Sequence, residues 1–307
     1  MAHEKTPHRL GLGIFICVVA YFFFMTASSI VWSFQGRFPT IQIIFLQNCI
    51  SFFCILPIAL RKGVHRLKTN ELPLHLIRDV FGVFSYYLYF LAIRLLNLVD
   101  ATTLNYTAPF FVPFIWWIWM REKISLHVWW SIIVGFIGVA VILNPTTQIF
   151  QIGFLFGLFA GIASGVAFCA IRMLNLKKEP MTRTLFYYFL VGMILSGPFA
   201  WVYWTHPTGI EWLQTLGIGV ATAIGQMLLT IAYRYGTASY LSPLGYSTVV
   251  YAGLISWIIF DKPLGFRSLI GTALIILGGT LTYILKKKPE TLAETFEVPN
   301  PHEKPPL

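Results

Sequence analysis

The chain has 307 residues, 57% of them hydrophobic, 17% aromatic and only 11% charged, with a net charge of +10. A soluble domain carries about a quarter charged residues, so an ordinary globular fold in water is excluded. The cations sit in short loops between apolar blocks and form no aromatic-interleaved basic face, so no nucleic-acid partner is expected.

The apolar blocks are about 20 residues long, enough to cross a hydrocarbon core about 30 Å thick. The lipid bilayer is therefore the expected solvent. After a polar N-terminal tail, residues 1–10, the predicted spans are 11–33, 40–60, 74–95, 98–120, 126–143, 152–173, 183–204, 212–234, 238–260 and 265–285. The first is too long for a cleaved leader and reads as a span. Residues 286–307 lack apolar periodicity and are expected to be a disordered tail. Four of the 22 lysines and arginines, Arg37, Arg94, Lys262 and Arg267, fall outside when the N-terminus is placed in the cytoplasm; the others fall inside. The positive-inside rule then puts both termini in the cytoplasm.

A single gapless shift superimposes Ala92 on Ala232, Arg94 on Arg234, Tyr106 on Tyr246, Trp117 on Trp257 and Gly138 on Gly278. The fold class this predicts is an all-α membrane protein of ten transmembrane helices. Residues 11–145 and 152–285 form two five-helix repeats. Five is odd, so the second repeat enters the membrane inverted relative to the first, a recurring transporter design. Prolines fall in corresponding spans, Pro109 and Pro113 in the fourth and Pro243 in the ninth. A proline deletes a helical donor. Such breaks in matching spans of inverted repeats point to a binding site.

Polar side chains beside these breaks are the candidate substrate contacts: Asn105 and Tyr106 in the fourth span, Tyr246 in the ninth, and Ser85, Tyr86 and Tyr89 in the third. The same shift carries Tyr86 onto Gln226, so these two should face one another across the pseudo-axis, with Thr222 nearby. Aromatic rings with a few amides and hydroxyls suit a small amphipathic substrate with a flat ring. Asp79 and Asp100, near span ends, are candidate gating or coupling carboxylates. The tryptophans Trp116, Trp117, Trp119, Trp129, Trp130 and Trp204 read as lipid-facing belts. Gln47, Asn48, Tyr187 and Tyr188 read as packing contacts, and Arg172 and Arg234 as positive-inside markers. Gly153, Gly157, Gly161 and Gly165, four apart, form a stripe that lets another backbone approach.

Cys17, Cys49, Cys54 and Cys169 lie inside apolar blocks without metal-ligand spacing, and no metal or cofactor is expected. Neither a Walker lysine motif nor a GxSxG or HExxH pattern occurs, so no catalytic residue is assigned and an enzyme is not expected. A membrane-embedded transferase and a broad drug exporter remain as alternatives. Monomer and homodimer are both compatible with the sequence.

The stretch "HLIRDVFGVFSYYLYFLAIRLLNLVDATTLNYTAPFFVPFIWWIWMREKISLHVWWSIIVGFIGVAVILNP" resembles the repeat of the drug/metabolite transporter superfamily, EamA type. So does "AYRYGTASYLSPLGYSTVVYAGLISWIIFDKPL". The shared pattern is Ala101, Pro109, Glu122 and Gly135/Gly138, then Ala238, Pro243, Asp261 and Gly278/Gly279. Asp261 stands where the pattern usually has Glu. The first half also resembles the bacterial S-adenosylmethionine carriers. The resemblance covers about residues 10 to 286. It implies ten helices around a central cavity and movement of a small metabolite (an amino acid, nucleoside-like or adenosylated compound) by alternating access without ATP hydrolysis.

Overall fold

The computed structural model describes residues 7–61, 63, 67–121, 126–143, 152–235, 242–261 and 265–284. Residues 1–6 of the tail expected over 1–10, the tail expected over 286–307, Glu122, Ala238, Lys262 and the side chains of Pro109, Pro243 and Arg234 lie outside what is described, while residues 7–10 belong to the first helix.

Among the described residues every regular element is helical: α1 (Pro7–Ser33), α2 (Thr40–Leu60), α3 (Leu72–Leu95), α4 (Leu98–Asn105), α5 (Ala108–Met120), α6 (Leu126–Leu143), α7 (Ile152–Leu176), α8 (Met181–Val202), α9 (Gly209–Tyr235), a 3-10 turn (Ser242–Tyr246), α10 (Ser247–Ile258) and α11 (Phe266–Ile284). Six of these, α1, α2, α3, α7, α8 and α9, are long and apolar enough to cross a membrane. Local chemistry sets the starts. Pro39 and Pro180 precede α2 and α8, Pro73 sits in the first turn of α3, and the Asn97 side chain accepts from the Asp100 N–H to cap α4. Proline is pre-set for a first helical turn, and asparagine satisfies an orphan donor there.

The predicted fourth span is not one helix. It divides at Tyr106–Thr107 into α4 and α5. Pro109 has no N–H to return to the Asn105 carbonyl, and the Phe110 N–H bonds Thr107 one residue short of the α pattern. The corresponding place in the second half is the 3-10 turn, which gives way to α10 after Tyr246. The two breaks are therefore related by the repeat offset that carries Tyr106 onto Tyr246. The same offset relates the left-handed residues Arg121 (φ 57°) and Asp261 (φ 50°) that follow α5 and α10.

Packing follows the same relation. The α3–α7 contact has its partner in α9–α1, while α2 packs on α8 and α6 on α11. Each of these pairs maps onto another, or onto itself, when every span is exchanged for the one five later. The glycine stripe of α7 faces α4 and α5. A Cβ at Gly161 would lie 2.5 Å from Thr107 Oγ1 and 2.9 Å from the Leu104 carbonyl, and one at Gly157 would lie 2.8 Å from Leu104 Cβ. Backbone approaches backbone there because no side chain intervenes.

Two ion pairs close the ends. Arg37, in the α1–α2 loop, pairs with Glu211 at the start of α9. Lys177, after α7, pairs with Glu71 before α3 at 2.7 Å. The repeat offset relates Arg37 to Lys177 and Glu71 to Glu211. The helix α2 runs between them, about 30 Å for its 21 residues, so the pairs lie at opposite ends of the bundle. Beside the first, Arg94 donates to the carbonyl of Gly36 and to Thr40. Gly36 has φ +84°, and a Cβ there would meet Arg94 Nη2 at 2.8 Å.

Candidate functional site

One face of α3 carries His75, Asp79, Gly82, Tyr86 and Tyr89, spaced three or four apart as a helical stripe requires. The structure gathers most of the residues chosen from sequence around it. The Tyr86 side chain lies close to the Gln226 side chain of α9, with Tyr188, Tyr106 and Tyr89 around it. This approach joins the halves between equivalent positions of the repeat. Tyr89 bonds Thr102 at 2.9 Å and also reaches Ser28. Ser85 donates to the Ala160 carbonyl at 2.9 Å and meets Ser164 at 2.6 Å; the Ser164 hydroxyl also lies 3.4 Å from Asn105 Oδ1. Ser85 and Asn105 thus belong to one polar chain across the α3–α7 packing.

The helix breaks meet directly. The Tyr106 ring packs edge-on against Tyr21 of α1, centroids 6.0 Å apart. A side chain at Gly245 would lie 3.1 Å from the Tyr106 ring, so the position equivalent to Asn105 is left bare to admit it. Thr222 is buried on the Gln226 side. Tyr246 does not mirror Tyr106. It is 4% exposed, packed with Leu104, Phe110, Val139 and Ile275, and its hydroxyl has no partner among the described residues.

The two carboxylates differ. Asp100 accepts from Ser268 and from Asn97, both at 2.6 Å, and so ties α4 to α11. Both its oxygens are used, which gives it a structural place. Asp79 was expected near a membrane interface. It lies seven residues, about 10 Å, inside α3 and is fully buried. Arg78, 4% exposed, contacts Asp79 Oδ1 at 3.2 Å and lies 3.7 Å over the Tyr188 ring. Among the described residues Asp79 Oδ2 and Arg78 Nε have no hydrogen-bond partner.

Tyr188 is therefore more than the packing contact its sequence position suggested. It rests against Gly82, where a Cβ would come within 3.0 Å of the ring, and so lies between Asp79 and Tyr86. The signal for this was an adjacent Arg–Asp pair inside an apolar span. Asn48 of α2 comes against Gly192, one turn beyond Tyr188, with its Oδ1 unpartnered; Gln47 Oε1 is unpartnered too. Two further expectations need correction. Trp116 is 6% exposed and takes the Arg172 guanidinium over its ring at 4.3 Å, so neither is simply a marker of the lipid or loop boundary. Cys54 is exposed, whereas Cys17 and Cys169 are buried.

At the Glu71 end, Glu179 between α7 and α8 accepts from Thr69 and Arg183 and faces His75 at 3.5 Å. Burial works to raise its carboxyl, but the bonds from Arg183, Thr69 and His75 outweigh it and hold the group below the usual carboxylate range. Tyr187 donates to the Leu67 carbonyl nearby. Among the described residues no three His, Cys, Asp or Glu side chains converge as a metal site.

Comparison with known proteins agrees with this architecture. The model of the EamA-like transporter family matches the chain twice, over residues 11–144 and 151–284. A pseudopaline exporter of Pseudomonas aeruginosa is 27% identical over 90% of this chain and 94% of that protein. An S-adenosylmethionine uptake transporter of Rickettsia felis is 26% identical, covering 86% and 89%. A riboflavin transporter of Vibrio cholerae is 26% identical, covering 80% and 83%. A crystal structure of another protein superimposes with a TM-score of 0.64 at 19% identity, covering 90% of this chain and 97% of that one.

Proposed function

We propose that this chain, which belongs to the EamA-like transporter family, carries a small amphipathic metabolite across a bacterial inner membrane by alternating access. Membership of a transporter family removes the membrane-embedded transferase. The observation that carries the reading is the approach of Tyr86 to Gln226 between the halves, beside two helix breaks at equivalent places of the repeat. Freed backbone carbonyls are tolerated at membrane depth where protein or a water-filled cavity receives them. Aromatic rings with an amide and hydroxyls between them suit a ligand with a flat face and a few polar groups.

The ten-span reading treats α4 with α5, and the 3-10 turn with α10, as single interrupted spans. The repeats then run oppositely, with both termini in the cytoplasm. The ion pairs Arg37–Glu211 and Lys177–Glu71 are the end latches of such a carrier. Opening toward one side breaks one latch and leaves the other. No ATP is required, because two equivalent halves exchange arrangements around a fixed site. The named relatives handle pseudopaline, S-adenosylmethionine and riboflavin. Each of these names gives one defined metabolite, which favours a metabolite carrier over a broad drug exporter.

Counterflow in proteoliposomes tests the reading, with riboflavin, S-adenosylmethionine and tryptophan as trial substrates. Saturable counterflow of at least one is expected. Tyr86→Ala and Gln226→Ala should each cut it by about tenfold with expression unchanged, the loss from one well-placed polar contact of about 1.4 kcal/mol. Wild-type counterflow in both variants would remove this pair from the site.

A further inference from the structure

The Arg78–Asp79 pair is not built like a structural ion pair. Neighbouring helix residues diverge by about 100°, so Arg78 must turn back to reach Asp79. Arg78 meets Asp79 in one contact of 3.2 Å and lies over the Tyr188 ring; among the described residues Arg78 Nε and Asp79 Oδ2 have no hydrogen-bond partner, although both side chains are buried. Removing two charges from water is recovered only when geometry is good and the remaining donors and acceptors are satisfied. Nor does the packing of these helices require charge. The equivalent positions in the second repeat are Ile218 and Gly219 of α9. There Gly219 gives its carbonyl to Ser51 and leaves its side-chain space to Ile50. The second half closes the equivalent contact without an ion.

We propose that Arg78 and Asp79 are the charged end of the substrate site and take a zwitterionic headgroup. Such a group carries a carboxylate and an ammonium on one carbon, as an α-amino acid does. This rests on the transporter reading above and narrows its substrate class. The carboxylate displaces Asp79 from the Arg78 guanidinium and uses its open Nε–H. The ammonium donates to Asp79, including the free Oδ2. Two protein charges meet two ligand charges of opposite order, so the loaded site holds no unpaired ion. An amide or N-acyl analogue leaves either Asp79 or Arg78 without its counter-charge, which is a strong ground for rejection in a desolvated site.

The rest of the stripe fixes the ligand's length. Tyr86 lies seven residues beyond Asp79 on the same face of α3, about 11 Å along the axis. Tyr188 stands between them over Gly82. The ligand class is therefore an amino-acid headgroup joined to a flat ring system, with the ring toward Tyr86, Tyr106 and Gln226.

The test uses purified full-length protein in proteoliposomes. The probes are tryptophan, S-adenosylmethionine, tryptophanamide, N-acetyltryptophan and riboflavin. Wild type should half-saturate with at least one of the two zwitterions at a concentration at least about tenfold below that for tryptophanamide and N-acetyltryptophan. The double variant Arg78→Gln/Asp79→Asn removes both charges together and should abolish that preference. Should it fail to fold, Arg78→Lys serves instead. It keeps the charge but loses the planar fork, and should raise half-saturation for the zwitterion about tenfold at an unchanged melting temperature. A folded double variant that keeps the preference, or Arg78→Lys with wild-type half-saturation, overturns the proposal. Counterflow of riboflavin without either zwitterion overturns it and leaves the transporter reading standing. Absence of counterflow for every probe overturns both.

Discussion

The two broken spans occupy matching positions, but each half walls its break differently. In one, α7 presents Gly157, Gly161 and Gly165 to α4 and α5, and the backbones nearly touch. In the other, the equivalent positions on α1 are Gly13, Cys17, Tyr21 and Met25. Tyr21 fills the space that glycine leaves empty in its counterpart and lays its ring against Tyr106. The contrast repeats at the third and eighth spans, with a buried Arg–Asp pair in one and an Ile–Gly pair in the other. A duplicated scaffold supplies the exchange of arrangements. The departures from duplication supply a site with a charged end and an aromatic end.

Substitutions can break this comparison. The largest effect is expected on the smooth wall. Gly161→Leu must displace Thr107 and the Leu104 carbonyl, and overpacking of this kind costs about 1–3 kcal/mol or more. Loss of folded protein in size-exclusion chromatography, or a melting temperature several degrees lower, is the expected result. Tyr21→Phe, at the equivalent place on the filled wall, keeps the ring and should melt close to wild type. Equal losses in both would show that the walls do not differ as described.

A smaller and directional effect is expected at the latches. Each is a partly exposed ion pair, a kind that contributes little to stability because water screens it. Glu211→Gln and Glu71→Gln should therefore leave the melting temperature within a few degrees. They should shift labelling of single cysteines placed at the two ends in opposite directions, each variant exposing its own end. Identical labelling patterns would deny the latches a part in access.

The smallest effect belongs to the two tyrosines. Tyr246→Phe removes a hydroxyl that has no partner and should be neutral or slightly stabilising, because an unsatisfied buried polar group is itself a cost. Tyr106→Phe lies beside Tyr86 and should lower counterflow without altering stability. A transport defect at Tyr246 equal to that at Tyr106 would restore the symmetry that the structure breaks.

The sequence carried the coarse order of this molecule well. Length and hydropathy located the apolar blocks, and the gapless shift put Tyr86 and Gln226 at equivalent positions. Proline placed the breaks to within a few residues. Other features were out of reach for a physical reason. A helix that is apolar all round carries no pattern saying which face meets protein and which meets lipid. Trp116 therefore read as a belt residue although it lies under Arg172. Tyr188 read as packing because an arginine on a distant span, which no local rule connects to it, comes to rest on its ring.

The residues closing α5 and α10 have a practical consequence. Arg121 and Asp261 hold positive φ angles that a side chain with a Cβ adopts only at some expense, roughly 1 kcal/mol each. Glycine carries no such penalty. Replacing both should therefore toughen the purified protein against heat and detergent. It would give anyone seeking crystals a hardier specimen whose transport groups are untouched.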